Sequence, residues 1–240
     1  MNPKYTKPTY FTNVENYFSK VDVYSKIVSQ NYMHHVEIFG ELKLFLKKEF
    51  GNKPFKLLEL GCGNAFFISQ VLKDTNIELY TAYDLSGDLI NEAKKNMNLV
   101  NCQKDFIVAD LSKEFLNKDI KEKYDVIWSS FMLHHLTLSD KERFFKKCLD
   151  GLNNNSYFIF VDVVNDYNSR EEFLTYWKDR VETHWTILNN QDKEYVYDHV
   201  FNYDFPENFA KYQEIAKDAS FKNSRKVFQK DHYAYMMFKC

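Results

Sequence analysis

The four cysteines of this 240-residue chain, Cys62, Cys102, Cys148 and Cys240, stand far apart, with no Cys-x-x-Cys pair and no histidine at ligand spacing to them. Neither a zinc site nor a disulfide framework is indicated, and no metal is expected. Charge of one sign is lacking as well: 32 Lys and Arg face 34 Asp and Glu, and the basic residues are scattered among acidic ones. Without an electropositive stripe there is no footprint for a phosphate backbone, so nucleic acid is not an expected partner. No run approaches the ~20 apolar residues of a membrane span, and the opening Met1-Asn2-Pro3-Lys4-Tyr5 has no apolar signal core. No membrane partner is expected, and a reduced, cytoplasmic location follows by default. Oligomeric state is left open.

What is present suits one globular domain with insertions. The length and the 45% hydrophobic content are enough to bury a sizeable core. Phe and Tyr are abundant, so the core is rich in rings or some rings line a pocket. Residues 1–54 lack a strand pattern. Val14, Tyr17, Phe18, Val21, Tyr24 and Ile27 follow helical spacing, and a second helix is expected over about His34–Phe50, stopped by Gly51. The polar-aromatic stretch Ser29–His35 lies between them, and Tyr24, Tyr32 and His35 are candidates for a lid.

From Phe55 the chain alternates. Strands are expected at Phe55–Leu60, Glu78–Tyr83, Asp105–Ala109, Tyr124–Ser129 and Tyr157–Asp162, separated by helical patterns. Ser86 can cap the helix after the second strand, and Ser139 with Glu142 reads as a capping box after the fourth. Regular alternation means right-handed crossovers and a mostly parallel, doubly wound sheet, here seven-stranded. Val163 to about Tyr203 breaks the rhythm with a polar helical insertion holding Trp177, Trp185, Tyr195, Tyr197 and His199. Such an insertion sits beside the crevice where open α/β sheets bind ligands, so it is the expected substrate cover. A last helix over Pro206–Lys217 leads to two strand-like runs joined around Asp231, an antiparallel C-terminal hairpin. The domain thus divides into an N-terminal extension (1–54), a core (55–162), a cover (163–203) and a last helix with hairpin (204–240).

The strand–turn–helix Lys56–Phe67, carrying Gly61-Cys62-Gly63-Asn64, lets backbone approach a ligand without a Cβ and offers helix N–H groups. Glu59, Asp84 and Asp110 close three strands and converge on the same crevice. Asp84 stands 23 residues after Gly61, the distance at which a carboxylate meets two ribose hydroxyls. On these residues the chain resembles the class I S-adenosylmethionine-dependent methyltransferases. Glu59–Asn64 is similar to the family's first motif, Asp84-Leu85-Ser86 to its second and Ala109-Asp110-Leu111 to its third. Tyr124–Leu136 resembles the segment after the fourth strand in small-molecule methyltransferases, and the hairpin matches their reversed last strand.

The resemblance implies S-adenosylmethionine as cofactor. Backbone at Gly61, Cys62, Gly63 and Asn64 would hold the methionine portion, with Glu59 ordering the turn. Asp84 would take the ribose, Leu85 and Leu111 the adenine faces, Asp110 the adenine amino group, and Ser129 or Ser130 the methionine end. Ala65 and Ser220 stand where the family commonly has glycine. Transfer to a small-molecule N, O or S acceptor needs alignment above all, and a base where the nucleophile carries a proton. His134 is the candidate base. Tyr24, Tyr32, His35, His135, Asp162, His184 and Trp185 are the candidate acceptor-side residues. A nicotinamide dehydrogenase is the alternative, weakened because Phe66 occupies its third-glycine position, where a ring would obstruct helix–strand packing. A cofactor-binding scaffold without turnover is the other.

Overall fold

A computed structural model describes residues 21–240. Seven strands, β1 (Phe55–Leu60), β2 (Ile77–Asp84), β3 (Gln103–Val108), β4 (Tyr124–Ser130), β5 (Leu152–Val163), β6 (Asn223–Lys230) and β7 (Tyr233–Lys239), form one sheet in the order β3-β2-β1-β4-β5-β7-β6. The first five are parallel, and β7 inserts antiparallel between β5 and β6. The chain leaves β1 for β2 and β3 on one side, then returns to place β4 on the other. That reversal opens a crevice at the C-terminal ends of β1 and β4.

The strands read as continuous apolar runs because both faces are covered. Helices α1 (Val21–Ser29), α2 (His35–Glu49), α3 (Phe66–Leu72) and α4 (Gly87–Asn96) precede β3, and α5 (Leu138–Gly151) follows β4. Next come α6 (Arg170–His184), α7 (Asn190–Tyr203) and α8 (Phe209–Asp218). On one face, Leu42 of α2, Ile68 of α3 and Ala93 of α4 pack with Leu57 and Trp128. On the other, Phe145 of α5 and Tyr212 of α8 pack with Leu58 and Phe158.

Several boundaries differ from the sequence reading for local chemical reasons. Helix α5 starts at Leu138 because Thr137, rather than Ser139, is the cap: its Oγ1 accepts from the Asp140 amide at 3.2 Å and donates to the Asp140 carboxylate at 2.9 Å. Helix α8 starts at Phe209 because Asn208 caps it through the Lys211 amide. Strand β5 begins at Leu152, five residues before the apolar run, and reaches it through Asn155 in left-handed backbone. The insertion carries more core than its polar composition promised. Phe173, Trp177, Val181, Trp185, Val196 and Val200 form a third apolar cluster with Val23 and Ile27 of α1. Of the first periodic stretch, Val14, Tyr17 and Phe18 lie outside the described residues.

Candidate active site

One cavity runs along the crevice from the acidic strand ends to a group of buried histidines. Its near half is the turn after β1. Gly61 and Gly63 take φ of 80° and 54°, and the amides of Gly61 and Cys62 donate to the Tyr83 carbonyl at 2.9 and 3.0 Å. A Cβ on Gly61 would lie 3.3 Å from two side-chain carbons of Met132. Asp84 pins this turn: Oδ2 accepts from the Gly63 amide at 2.7 Å and Oδ1 from the Ser86 amide at 2.9 Å. Burial nevertheless holds its pKa above the ordinary carboxylate value. Asp84, with Leu85, Asp110 and Leu111, lines the same cavity.

Glu59 is buried at the floor and accepts from the Tyr80 hydroxyl. Burial drives its pKa up to about 8, against the pull of that hydrogen bond, and the Asp84 charge pushes the same way. Asp110 accepts from the Ser112 amide and hydroxyl at 3.0 and 2.8 Å and pairs with Lys113. Asn64 spends its side-chain oxygen on the Phe66 amide at 3.1 Å, two residues along, in the turn ahead of α3. Ser130 lines the cavity, but Ser129 does not: it is fully buried in β4 and donates to the Leu60 carbonyl at 2.8 Å, an interstrand bond. Strand alternation turns one of two adjacent serines away from the crevice.

The far half is built by the turn after β4. Phe131, at φ 55°, donates its amide to the Val161 carbonyl and bends the chain so that His134 and His135 enter the cavity. Asp162, on the neighbouring strand β5, is fully buried. It accepts from the His134 amide at 2.8 Å and pairs with His134 Nδ1. His134 Nε2 therefore faces the opposite way, 3.7 Å from Asp204 Oδ2. Asp204 also lies 3.3 Å from His135 Nδ1 and 3.5 Å from His199 Nε2. Burial disfavours the His134 cation, but the carboxylates of Asp162 and Asp204 outweigh it and raise its pKa. Burial, then repulsion from His134, lowers that of His135; burial also dominates at His199, which is lowered against the pull of Asp204.

The remaining acceptor-side candidates divide. Tyr24 lines the cavity, with its pKa pushed up to about 12 by burial and by Asp84, and its hydroxyl is 3.3 Å from His35 Nε2. His35 also lines it, stacked on Phe67, and burial lowers its pKa to about 4. Trp185 lines it too, its ring stacked on Tyr32. Tyr32 is a brace rather than a wall, since its hydroxyl accepts from the Ile187 amide at 3.1 Å. Asp162 positions His134 and does not reach the cavity surface. His184, the last residue of α6, is exposed and bonded to Thr183.

His199 and Asp204 were not singled out as site residues by sequence reasoning. They stand some 65 residues from His134, and no spacing rule links them to it. Phe66, for its part, is half exposed and does not press on a strand, so its ring is no obstacle to helix–strand packing. What separates this fold from a dehydrogenase is the reversed β7.

Residues 57–155 match a family model described as a methyltransferase domain. Among curated proteins, N-terminal Xaa-Pro-Lys N-methyltransferase 1-A of Xenopus laevis is 24% identical over 163 residues, covering 65% of this chain and 71% of its own. The plantazolicin methyltransferase BpumL in complex with SAH superposes with a TM-score of 0.66 at 15% identity, over 96% of this chain and 95% of its own. Magnesium protoporphyrin IX methyltransferase (ChlM) from Synechocystis PCC 6803 with bound SAH gives a TM-score of 0.66 at 15% identity, over 96% and 99%. At such identities the solved structures establish a shared fold.

Proposed function

We propose that this class I S-adenosylmethionine-dependent methyltransferase seats its donor against the Gly61–Gly63 turn, Asp84 and Asp110. Its small-molecule acceptor then lies between the donor and the cluster of His134, His135, His199 and Asp204. The observation that carries this reading is the single cavity joining the acidic strand ends to that cluster. The residues fit a cationic nucleoside donor: Gly61 and Gly63 leave room for close approach, Asp84 supplies a carboxylate, and Leu85 with Leu111 offers apolar surface to a base. S-adenosylmethionine, when bound, supplies a methyl group already activated on a sulfonium.

The protein's own contribution is alignment, exclusion of water and management of one proton. Trp185 from the insertion, with Tyr24 and His35 from the N-terminal helices, roofs the cavity and keeps water from the reacting atoms. Asp162 holds His134 in the tautomer that leaves Nε2 free to receive a proton from an acceptor hydroxyl or ammonium. His135 and Asp204 fix the acceptor's polar atom. A reducing compartment accords with the four free thiols. With labelled donor and a metabolite pool, the wild type should label a small molecule. His134→Gln should lower turnover by ~10²–10⁴ with S-adenosylhomocysteine affinity unchanged. Full turnover in that variant would remove His134 from its role.

A further inference from the structure

We propose that His134, His135 and Asp204 form a binding site for a divalent transition-metal ion of the Zn²⁺ or Fe²⁺ type at the acceptor end of the cavity. One donor atom from each of the three lies within 4.8 Å of the other two. The separations to Asp204 are 3.7 Å from His134 Nε2 and 3.3 Å from His135 Nδ1. Those two contacts use different Asp204 oxygens, Oδ2 and Oδ1; ligands ~2.0–2.2 Å from one ion in tetrahedral array stand roughly 3.3–3.6 Å apart, so one carboxylate oxygen and the two ring nitrogens would close by about 1 Å around a metal. A second observation points the same way. The other ring nitrogen of His134 is engaged by Asp162, a fully buried carboxylate. An outer carboxylate that orients an imidazole is the usual support for a metal-binding histidine.

The site is also held from outside. The Phe205 amide donates to the His134 carbonyl at 2.7 Å, and Arg170 Nε donates to the Asp204 carbonyl at 3.0 Å, so the backbones carrying the donors are tied together. Two imidazoles and one carboxylate suit a first-row transition ion better than magnesium or calcium, which prefer all-oxygen shells. Three protein ligands leave a coordination position open towards the cavity. That position would take the acceptor's oxygen, an assignment that rests on the reading of this end as the acceptor side. With an ion bound, His134 Nε2 would be a ligand in place of its role as base: the metal would acidify the coordinated hydroxyl, whose proton would leave to solvent, the oxygen would bond to the methyl carbon, and the carbon–sulfur bond would break with its electron pair left on sulfur.

Chelator-stripped protein titrated with Co²⁺ should bind one equivalent with a visible absorption band, lost when Zn²⁺ is added. Asp204→Asn and His135→Gln should each weaken binding at least tenfold, and Asp162→Asn by about 10–100-fold. S-adenosylhomocysteine affinity, measured on the same samples, should stay at the wild-type value and shows that each variant is folded. The absence of saturable Co²⁺ and Zn²⁺ binding, or wild-type affinity in both Asp204→Asn and His135→Gln, would overturn the site. Loss of S-adenosylhomocysteine binding with Co²⁺ binding intact would sink the donor assignment and leave the metal site standing.

Discussion

Ser220 occupies the residue just past the end of α8 and takes φ of 78°. The Ser220 amide bonds the Lys217 carbonyl and the Phe221 amide bonds the Ala216 carbonyl, each at 2.9 Å, a Schellman closure in which glycine is the favoured occupant. Ala65, at φ 52°, holds the same kind of backbone ahead of α3. An L side chain in this region costs roughly 1–2 kcal/mol, part of which glycine returns to the unfolded chain. Ser220→Gly, far from the cavity and exposed, should therefore raise unfolding stability by about 1 kcal/mol in urea with S-adenosylhomocysteine affinity unchanged. A loss of stability would refute the strain account. Glu59 gives a second residue-scale test. Its folded pKa of about 8 lies above its ordinary 4.5, so folding favours the protonated form. The stability that this contributes is fully present below pH 4.5 and is lost as pH rises to about 8. Relative to Glu59→Gln, the wild type should lose stability across that window and level off above it, as followed by urea unfolding at several pH values. A pH-independent difference would mean that Glu59 ionises normally in the folded state.

At the scale of elements, the proposed acceptor end depends on how the stretch after α7 is pinned. Arg170, the first residue of α6, donates to the carbonyls of Val200, Phe201 and Asp204 and so caps the C-terminal end of α7 with a cation. Lys141 on α5, fully buried, donates to the Phe205 carbonyl and pairs with Glu207 at 3.3 Å. Burial lowers its pKa against the pull of the nearby carboxylates. These cations fix Asp204 without touching the cavity. Arg170→Ala should thus reduce methyl-transfer turnover by tenfold or more, consistent with loss of ~1.5–3 kcal/mol of charge-assisted hydrogen bonding, with donor affinity unchanged. Equal turnover would show that Asp204 holds its place unaided. The roof is tied down at Asp231 in the β6–β7 turn, which pairs with His34 before α2 at 2.6 Å and with Arg180 of α6. One carboxylate thereby joins the N-terminal extension, the insertion and the hairpin.

For the whole molecule, the half of the cavity at the acidic strand ends was legible in the sequence and the histidine half was not, for a physical reason. Gly61, Asp84 and Asp110 end consecutive strands, so alternation and register alone bring them to one edge. Ser129 and Ser130 show the limit of that logic, since adjacent residues on a strand face opposite ways and only the pairing decides which is inside. His134 and Asp162 were legible as separate candidates; their pairing, and the approach of His199 and Asp204, were not. Asp162 reaches His134 through β4–β5 pairing, and His199 with Asp204 through packing of an insertion whose polar composition hid a buried cluster. Tyr32 and His184 do not line the cavity: one braces Trp185 and the other faces solvent. The central claim is that the edge built by Gly61–Gly63 and Asp84 is the donor site. Calorimetry with S-adenosylhomocysteine tests it most directly: saturable one-to-one binding is predicted for the wild type. Asp84→Ala should weaken it by roughly 10–150-fold, the worth of ~1.5–3 kcal/mol in hydrogen bonds to a carboxylate. No binding by the wild type, or equal binding by Asp84→Ala, would contradict it.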